Sequence, residues 1–409
     1  MKNKKTAIVC VIDAVGVDTL SYLLSKHKGK IEMPFLLTCG IDRLLDENIR
    51  RKISSKKSTK KVNSYVIPVR QSSTTADSLI GHREMMGIID MRKFNLFYKG
   101  FPQKFIKELE SRIRRKTLFN QMSGGMEAIE KNYEYHEKTG YPIVYASKCD
   151  PLIQLAMNEE IIPPDEQKSI ANTALELAIE MKIPITRAIA RSYIRRKKEI
   201  IRTANRYDAV LPLEGKTLVD ILNGHKVWSV SVGKTSDLVN TKYCEKIKIT
   251  HKEFIDPSLD FDFIHPKEKD TNIFNIQGII NAVIAKKYIY RPNGTFVFAN
   301  LVDTDSLFGH TMDIDGSLKS LQQIDKALEK IFELMDNDDI LIITTDHGME
   351  HRADYGYHSN ETLYIVVASK KKIGFKHIDD FEGLTKVGAI VGEYFNILDE
   401  FKSIVKKIY

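Results

Sequence analysis

At 409 residues the chain exceeds the size at which a single hydrophobic core stops growing, so two domains are expected. A hydrophobic share of 43% with 28% charged residues is that of a soluble globular protein and excludes a disordered or fibrous chain. The net charge of +8 is carried in part by clusters at Arg51-Lys52, Lys56-Lys57, Lys60-Lys61, Arg112 to Lys116 and Arg195-Arg196-Lys197-Lys198. These lie among carboxylates without interleaved aromatics, so they read as solvated faces rather than a nucleic-acid surface, and they are compatible with a small anionic substrate.

The chain starts with Met1-Lys2-Asn3-Lys4-Lys5 before an apolar stretch, which mimics the basic start of a secretory signal. Asp13 interrupts that stretch and no small-residue cleavage pattern follows, so Ala7 to Ile12 is predicted to be a buried strand ending in Asp13. The cysteines, Cys10, Cys39, Cys149 and Cys244, show no C-x-x-C spacing, which predicts a reducing, cytoplasmic setting without disulfides. No membrane span is expected. A Ser/Thr-rich segment then runs from Ser72 to Ser78.

From about 95 to 214 the character changes to charged helices with short apolar runs, the pattern of an inserted α+β unit. After Lys216 the strand–helix pattern resumes, with Val227 to Val232 a predicted strand. Thr295 to Val302 is a second strand that leads into Asp303-Thr304-Asp305 and then Gly309-His310. Asp315 to Met335 is predicted to be a helix, with Leu318, Leu321, Ile324, Leu328, Ile331 and Leu334 at helical spacing as its core-facing anchors. Ile340 to Thr344, short and β-branched, delivers Thr345-Asp346-His347-Gly348 at its C-terminal end, and His358 follows. No internal repeat or low-complexity segment is present.

Open α/β sheets place their ligands at the C-terminal ends of strands. Three apolar strands, each ending in a carboxylate, would therefore gather Asp13, Asp305, His310, Asp346, His347 and His358 at one sheet edge if they lie side by side. Mixed oxygen and nitrogen ligation suits Zn or Mn, and six candidates are too many for one open catalytic site, so two ions are expected. The candidates come from both ends of the chain and none from the middle. This predicts one catalytic core, residues 1–94 and 215–409, interrupted by a substrate-binding cap, residues 95–214. Two metals can activate a hydroxyl for phosphoryl transfer. Ser72, Ser73, Thr74, Thr75 and Ser78 all qualify as nucleophile by residue type.

Asp77-Ser78-Leu79-Ile80-Gly81-His82-Arg83-Glu84-Met85-Met86-Gly87 resembles the D-T-x-T-G-H-W-E-x-M-G nucleophile segment of phosphopentomutases, members of the alkaline phosphatase superfamily. Val302 to His310 is similar to the family's V-D-F-D-x-x-Y-G-H, and Thr345 to Gly348 with His358 resembles its A-D-H-G and D-H-T-R-E. Ile189-Ala190-Arg191-Ser192-Tyr193-Ile194 and Arg202 to Asp208 look like I-A-R-P-Y-I and R-T-A-N-R-H-D. The resemblance, which spans nearly the whole chain, implies an alkaline-phosphatase-like α/β core, a mostly parallel sheet flanked by helices, with the inserted cap.

It further implies that Ser78 carries the phosphoryl group. One ion would be held by Asp13, Asp346 and His347, the other by Asp305, His310 and His358. Mn is the expected metal, with Zn or Mg as alternatives, and a sugar bisphosphate is the expected activator. Arg191, Arg206 and Arg202 would grip the distal phosphate, Asp150 would contact sugar hydroxyls, and Lys234 would neutralise a phosphate. The implied reaction interconverts α-D-ribose 1-phosphate, or its 2-deoxy form, and the 5-phosphate. A phosphatase or phosphodiesterase, a mutase for another sugar phosphate, and a non-catalytic binding protein are the rival readings. The chain departs from the family pattern at Ser78 for Thr, Ile80 for the second Thr, Arg83 for Trp, and Asn360 for Arg. It also lacks the Pro-Asp tail usual after the first strand.

Overall fold

The computed structural model describes residues 5–197, 199–203, 205–249, 251, 254–256, 271–352 and 355–409. Lys2, Lys4, Lys198 and Ala204, which belong to segments discussed above, lie outside the described residues. The chain divides into two compact units, Met1–Arg92 with Leu213–Tyr409, and Lys93–Pro212.

The larger unit is built on a seven-stranded sheet. Its spatial order is Glu245–Ile247, Trp228–Val232, Thr295–Leu301, Thr6–Ile12, Ile340–Thr344, Thr362–Ser369 and Asn63–Arg70. The first five strands run parallel; the last two pairings, on either side of Thr362–Ser369, are antiparallel. Thr6–Ile12 lies at the centre and every residue in it is buried. A strand covered on both faces has no solvent side to mark with polar residues, which is why this segment is continuously apolar.

Ile8, Cys10 and Ile12 face one core layer with the helices Val17–Lys26, Asn272–Ala285 and Ile314–Leu334. Ala7, Val9 and Val11 face the other, with Leu218–Gly224, Thr385–Phe395 and Leu398–Ile404. In the Ile314–Leu334 helix, Leu318, Leu321, Ile324, Leu328 and Ile331 are buried as their spacing requires, and Leu334 packs at the margin. Asp313 caps that helix, its Oδ1 accepting from Gly316 N at 2.8 Å.

The smaller unit is α+β. Its sheet runs Leu118–Met122, Ile143–Ala146, Leu152–Asn158, Arg187–Arg196 and Glu199–Arg202, with Tyr207–Val210 pairing to Arg187–Arg196 as well. Helices Gln103–Ile113 and Pro164–Glu180 supply Phe105, Leu109, Ile170, Ala174 and Ala178 to an apolar layer that includes Val144, Ile153, Leu155 and Ala188. Among the described residues no helix is long and apolar enough to cross a membrane.

One buried carboxylate braces the first layer. Asp325, on the long helix, accepts from Leu36 N at 2.7 Å and Phe35 N at 3.1 Å, so it caps the short helix Pro34–Cys39. Burial pushes its carboxyl up from 3.8 to about 7, against the pull of those two N–H groups. The unfolded chain gives up this proton first, so the folded state loses stability as pH rises from 3.8 towards 7. Asp325→Asn has no proton to lose. Its thermal midpoint relative to the unsubstituted protein is therefore expected to improve steadily between pH 4 and 7, measured by unfolding scans across that range. An opposite trend would mean that the carboxylate is ionised and held by its caps.

Candidate metal centre and nucleophile

Parallel register brings the three strand ends together. Cys10 pairs with both Ala299 and Ile343, and Val11 with both Asn300 and Thr344, so the segments that follow all leave the sheet at one edge. Asp13 N donates to Leu301 O at 3.0 Å. Asp346 Oδ1 accepts from Ala14 N at 3.1 Å, and Thr345 Oγ1 from Val15 N at 3.1 Å. Ala14, with φ +60°, makes this turn in the left-handed region, a backbone cost characteristic of functional sites.

Asp13, Asp346 and His347 are fully buried, and one ligand atom from each lies within 4.8 Å of the others. Asp305, His347 and His358 form a second group at the same spacing. Asp305 Oδ1 stands 3.2 Å from His358 Nε2 and 3.3 Å from His310 Nε2. The ring centroids of His347 and His358 are 4.0 Å apart, which joins the two groups.

Ser78 opens the helix Ser78–Met85 behind its cap Asp77, whose side chain accepts from Leu79 N at 2.8 Å. Its hydroxyl lies 3.3 Å from Asp13 Oδ1 and 3.2 Å from His347 Nε2. Two neighbouring hydroxyls serve the turn: Ser73 Oγ accepts from Asp90 N at 2.9 Å, and Thr74 Oγ1 donates to Arg92 O at 2.6 Å. A Cβ at Gly81 would sit 2.5 Å from Asp346 O, so glycine is what lets this helix press onto the strand end.

Several supporting residues were not singled out from the sequence. Glu84 accepts from Ser72 N, Ser73 N and Leu384 N at 2.7–2.8 Å and anchors the loop before Ser78. Glu361 accepts from Thr19 N at 2.8 Å and from Ser359 Oγ at 2.7 Å, tying the first turn to the segment after His358. Asn300 Nδ2 donates to Asp13 Oδ2 at 2.8 Å, and Thr304 Oγ1 to the Asp13 carbonyl at 2.6 Å. Glu84 lies inside the quoted nucleophile segment, so its type was visible there; the others meet only through long-range packing.

The electrostatics are those of a crowded acidic site. Burial and then the facing Asp346 push the Asp13 carboxyl up to about 6, although Lys234 Nζ, 2.9 Å from Asp13 Oδ2, pulls it down. Burial also pushes Asp305 and Asp346 up, but facing imidazoles more than offset it: His310 and His358 at Asp305, His347 and His82 at Asp346. Among the described residues Asp346 Oδ2 is buried without a hydrogen-bond partner. A concentration of carboxylate oxygens and imidazole nitrogens with an unsatisfied buried oxygen fits divalent cations.

In the smaller unit, Arg191 Nε and Tyr145 OH both donate to Gln154 Oε1 at 2.9 Å. Burial, then Arg206 and Arg202, hold the Arg191 guanidinium down to about 10. Arg206 makes two 2.6 Å bonds to Asp208, whose carboxyl stays at about 2 because Arg206 outweighs its burial. A Cβ at Gly125 would lie 2.0 Å from Arg202 Nη2 and 2.9 Å from Tyr145 OH, so Arg202 reaches the same Tyr145. Asp150 is engaged elsewhere, with Arg187 Nη2 at 3.0 Å. Of the departures, Ile80 is buried, Asn360 is exposed, and Arg83 is buried with Nε donating to Leu238 O at 3.1 Å.

Phosphopentomutases from two strains of Clostridium kluyveri are 32% identical to this chain over 391 residues, which covers 95% of the chain and 92% of each relative. The chain belongs to the phosphopentomutase family. Residues 225–398 also match the family model described as the Metalloenzyme superfamily. As a member of the phosphopentomutase family within the alkaline phosphatase superfamily, it is a metal-dependent phosphomutase. Among solved structures, it is similar to a phosphoglycerate mutase of Leishmania mexicana at 10% identity, covering 97% of this chain and 96% of that one, with a TM-score of 0.44. It is also similar to a Pyrococcus horikoshii protein at 12% identity, 98% of each chain and a TM-score of 0.41.

Two outcomes follow from the geometry of this phosphopentomutase family member. Gly81→Ala must push the helix off Asp346 and is expected to cost about 1–3 kcal/mol, read as a lower denaturation midpoint. Saturating Mn2+ is expected to stabilise the chelator-treated protein by about 3 kcal/mol at a hundredfold excess over its dissociation constant. That rise in thermal midpoint should largely disappear in Asp346→Asn.

Proposed function

We propose that the enzyme interconverts α-D-ribose 1-phosphate, or 2-deoxyribose 1-phosphate, and the corresponding 5-phosphate through a phosphoserine at Ser78. The observation that carries this reading is the Ser78 hydroxyl, within 3.3 Å of both Asp13 and His347 at the buried strand edge. The likeness to phosphopentomutases supports the substrate class. Phosphorylated Ser78 gives its phosphoryl group to the free hydroxyl of the bound sugar monophosphate: the Ser78 O–P bond breaks, the sugar O–P bond forms, and the hydroxyl proton passes to the freed Ser78 Oγ. The resulting bisphosphate then returns its other phosphoryl group to Ser78 Oγ: that sugar O–P bond breaks, the Ser78 O–P bond forms again, and the Ser78 proton passes to the departing sugar oxygen, which releases the isomer. A sugar bisphosphate is accordingly the activator that first loads Ser78.

Asp13, Asp346 and His347 would hold one divalent ion and Asp305, His310 and His358 a second; Mn suits this donor set, with Zn or Mg as alternatives. When bound, the ions neutralise charge on the transferring group and lower the pKa of the attacking hydroxyl. Arg191, Arg202 and Arg206 bind the distal phosphate. Three guanidiniums against the one carboxylate of Asp208 suit a phosphate dianion, and the planar fork of arginine matches its oxygens. Asp150 contacts sugar hydroxyls, and Lys234 lends its charge to the phosphoryl group entering beside Asp13. The free thiols of Cys10, Cys39, Cys149 and Cys244 support a reducing, cytoplasmic setting.

The test is an assay of Mn-loaded enzyme with ribose 5-phosphate and a trace of sugar bisphosphate, following ribose 1-phosphate and free phosphate together. Ribose 1-phosphate should form, and Ser78→Ala should lower its rate by at least about a thousandfold, as loss of a nucleophile does. Free phosphate alone would instead identify a hydrolase.

A further inference from the structure

We infer that His82 is a positioning residue that ties the nucleophile to the metal-binding carboxylate of Asp346. The inference rests on the proposed role of Asp346 as a metal ligand. His82 lies on the same helix as Ser78, one turn on, and is fully buried. Its ring stands against Phe298, a residue of the central sheet, with centroids 5.5 Å apart.

Nδ1 is 2.7 Å from Ser78 O and 3.3 Å from Asp346 Oδ2. Both are acceptors, so Nδ1 carries the proton; it donates to Ser78 O and turns the positive end of the N–H dipole towards Asp346. Among the described residues the opposite nitrogen, Nε2, is buried without a hydrogen-bond partner. The other Asp346 oxygen, Oδ1, already accepts from Ala14 N and His347 N at 3.1 Å each. Backbone N–H groups therefore hold one oxygen of the carboxylate by hydrogen bonds, while the other, Oδ2, makes none among the described residues and is faced by His82 Nδ1 at 3.3 Å, close enough for the ring to bias its direction. Because the same imidazole holds the Ser78 carbonyl, a shift of the nucleophile and a shift of Asp346 are coupled through one ring.

Groups that orient a ligand in this way typically contribute ten- to a hundredfold in metal affinity. The test is a calorimetric titration of the chelator-stripped full chain with Mn2+. His82→Ala is expected to bind about 10–100-fold more weakly than the unsubstituted protein. His82→Asn, whose amide nitrogen falls near the Nδ1 position, should recover most of the loss. His82→Gln, which presents its amide nitrogen near the Nε2 position, should not. Comparison of Asn with Gln distinguishes the donor's position from its bulk, and it remains decisive should the alanine variant not fold. Equal affinities in the Asn and Gln variants, or undiminished affinity in His82→Ala, would overturn the inference while leaving Asp346 as a ligand. Absence of Mn2+ binding by the unsubstituted protein would overturn the ligand assignment, and the inference with it.

Discussion

Three carboxylates, Asp13, Asp305 and Asp346, are brought to one buried sheet edge by the parallel register of three neighbouring strands, and the surrounding structure is organised around that concentration of charge. Like charges that close, away from water, repel strongly enough that they persist only with compensation. The compensation is visible in the ammonium of Lys234 against Asp13 and in the imidazoles around Asp305 and Asp346. The unsatisfied oxygen of Asp346 marks where side chains alone leave the balance incomplete.

The packing around this edge follows from the need to bring backbone close to it. Gly81 lets the Ser78 helix touch Asp346, and Gly16 and Gly348 make room for Glu361, which would clash with a Cβ at either position. Ala14 accepts a left-handed conformation so that its N–H can reach Asp346. Each is a local concession that the buried strands and their flanking helices hold in place. The smaller unit separates its own charges differently: its arginines gather around Tyr145 and Gln154, while Asp150 pairs with Arg187. A site that collects cations in this way is suited to an anion, whereas the strand edge, which collects carboxylates, is suited to a cation.

Much of this was legible in the sequence because it depends on local pattern. Ala7 to Ile12, Thr295 to Val302 and Ile340 to Thr344 announce buried strands by continuous apolar character, and the long helix announces itself by the spacing of Leu318 to Ile331. The acidic and imidazole residues at the strand ends were visible as types, and the family likeness named the nucleophile segment. The choice of Ser78 over Ser73 or Thr74 was not open to residue type. In the structure the Ser73 and Thr74 hydroxyls are committed to their turn, which supports the proposal of Ser78. Glu84, Glu361 and Asn300 escaped because a polar residue in a sequence does not disclose its partner.

The sequence by itself therefore determined the strands, the long helix and the chemical types at the strand ends, since hydrophobic periodicity and residue identity are properties of neighbours along the chain. Only the tertiary structure decided that Thr6–Ile12 lies between Thr295–Leu301 and Ile340–Thr344, that Ser78 faces Asp13 and His347, and that His82 stands between Ser78 and Asp346. Apart from Ser78 to Asp13, 65 positions, and Ser78 to His82, one helical turn, those contacts join residues hundreds of positions apart. They are set by strand order and by the close approach that a few glycines permit, neither of which leaves a periodic trace in the chain.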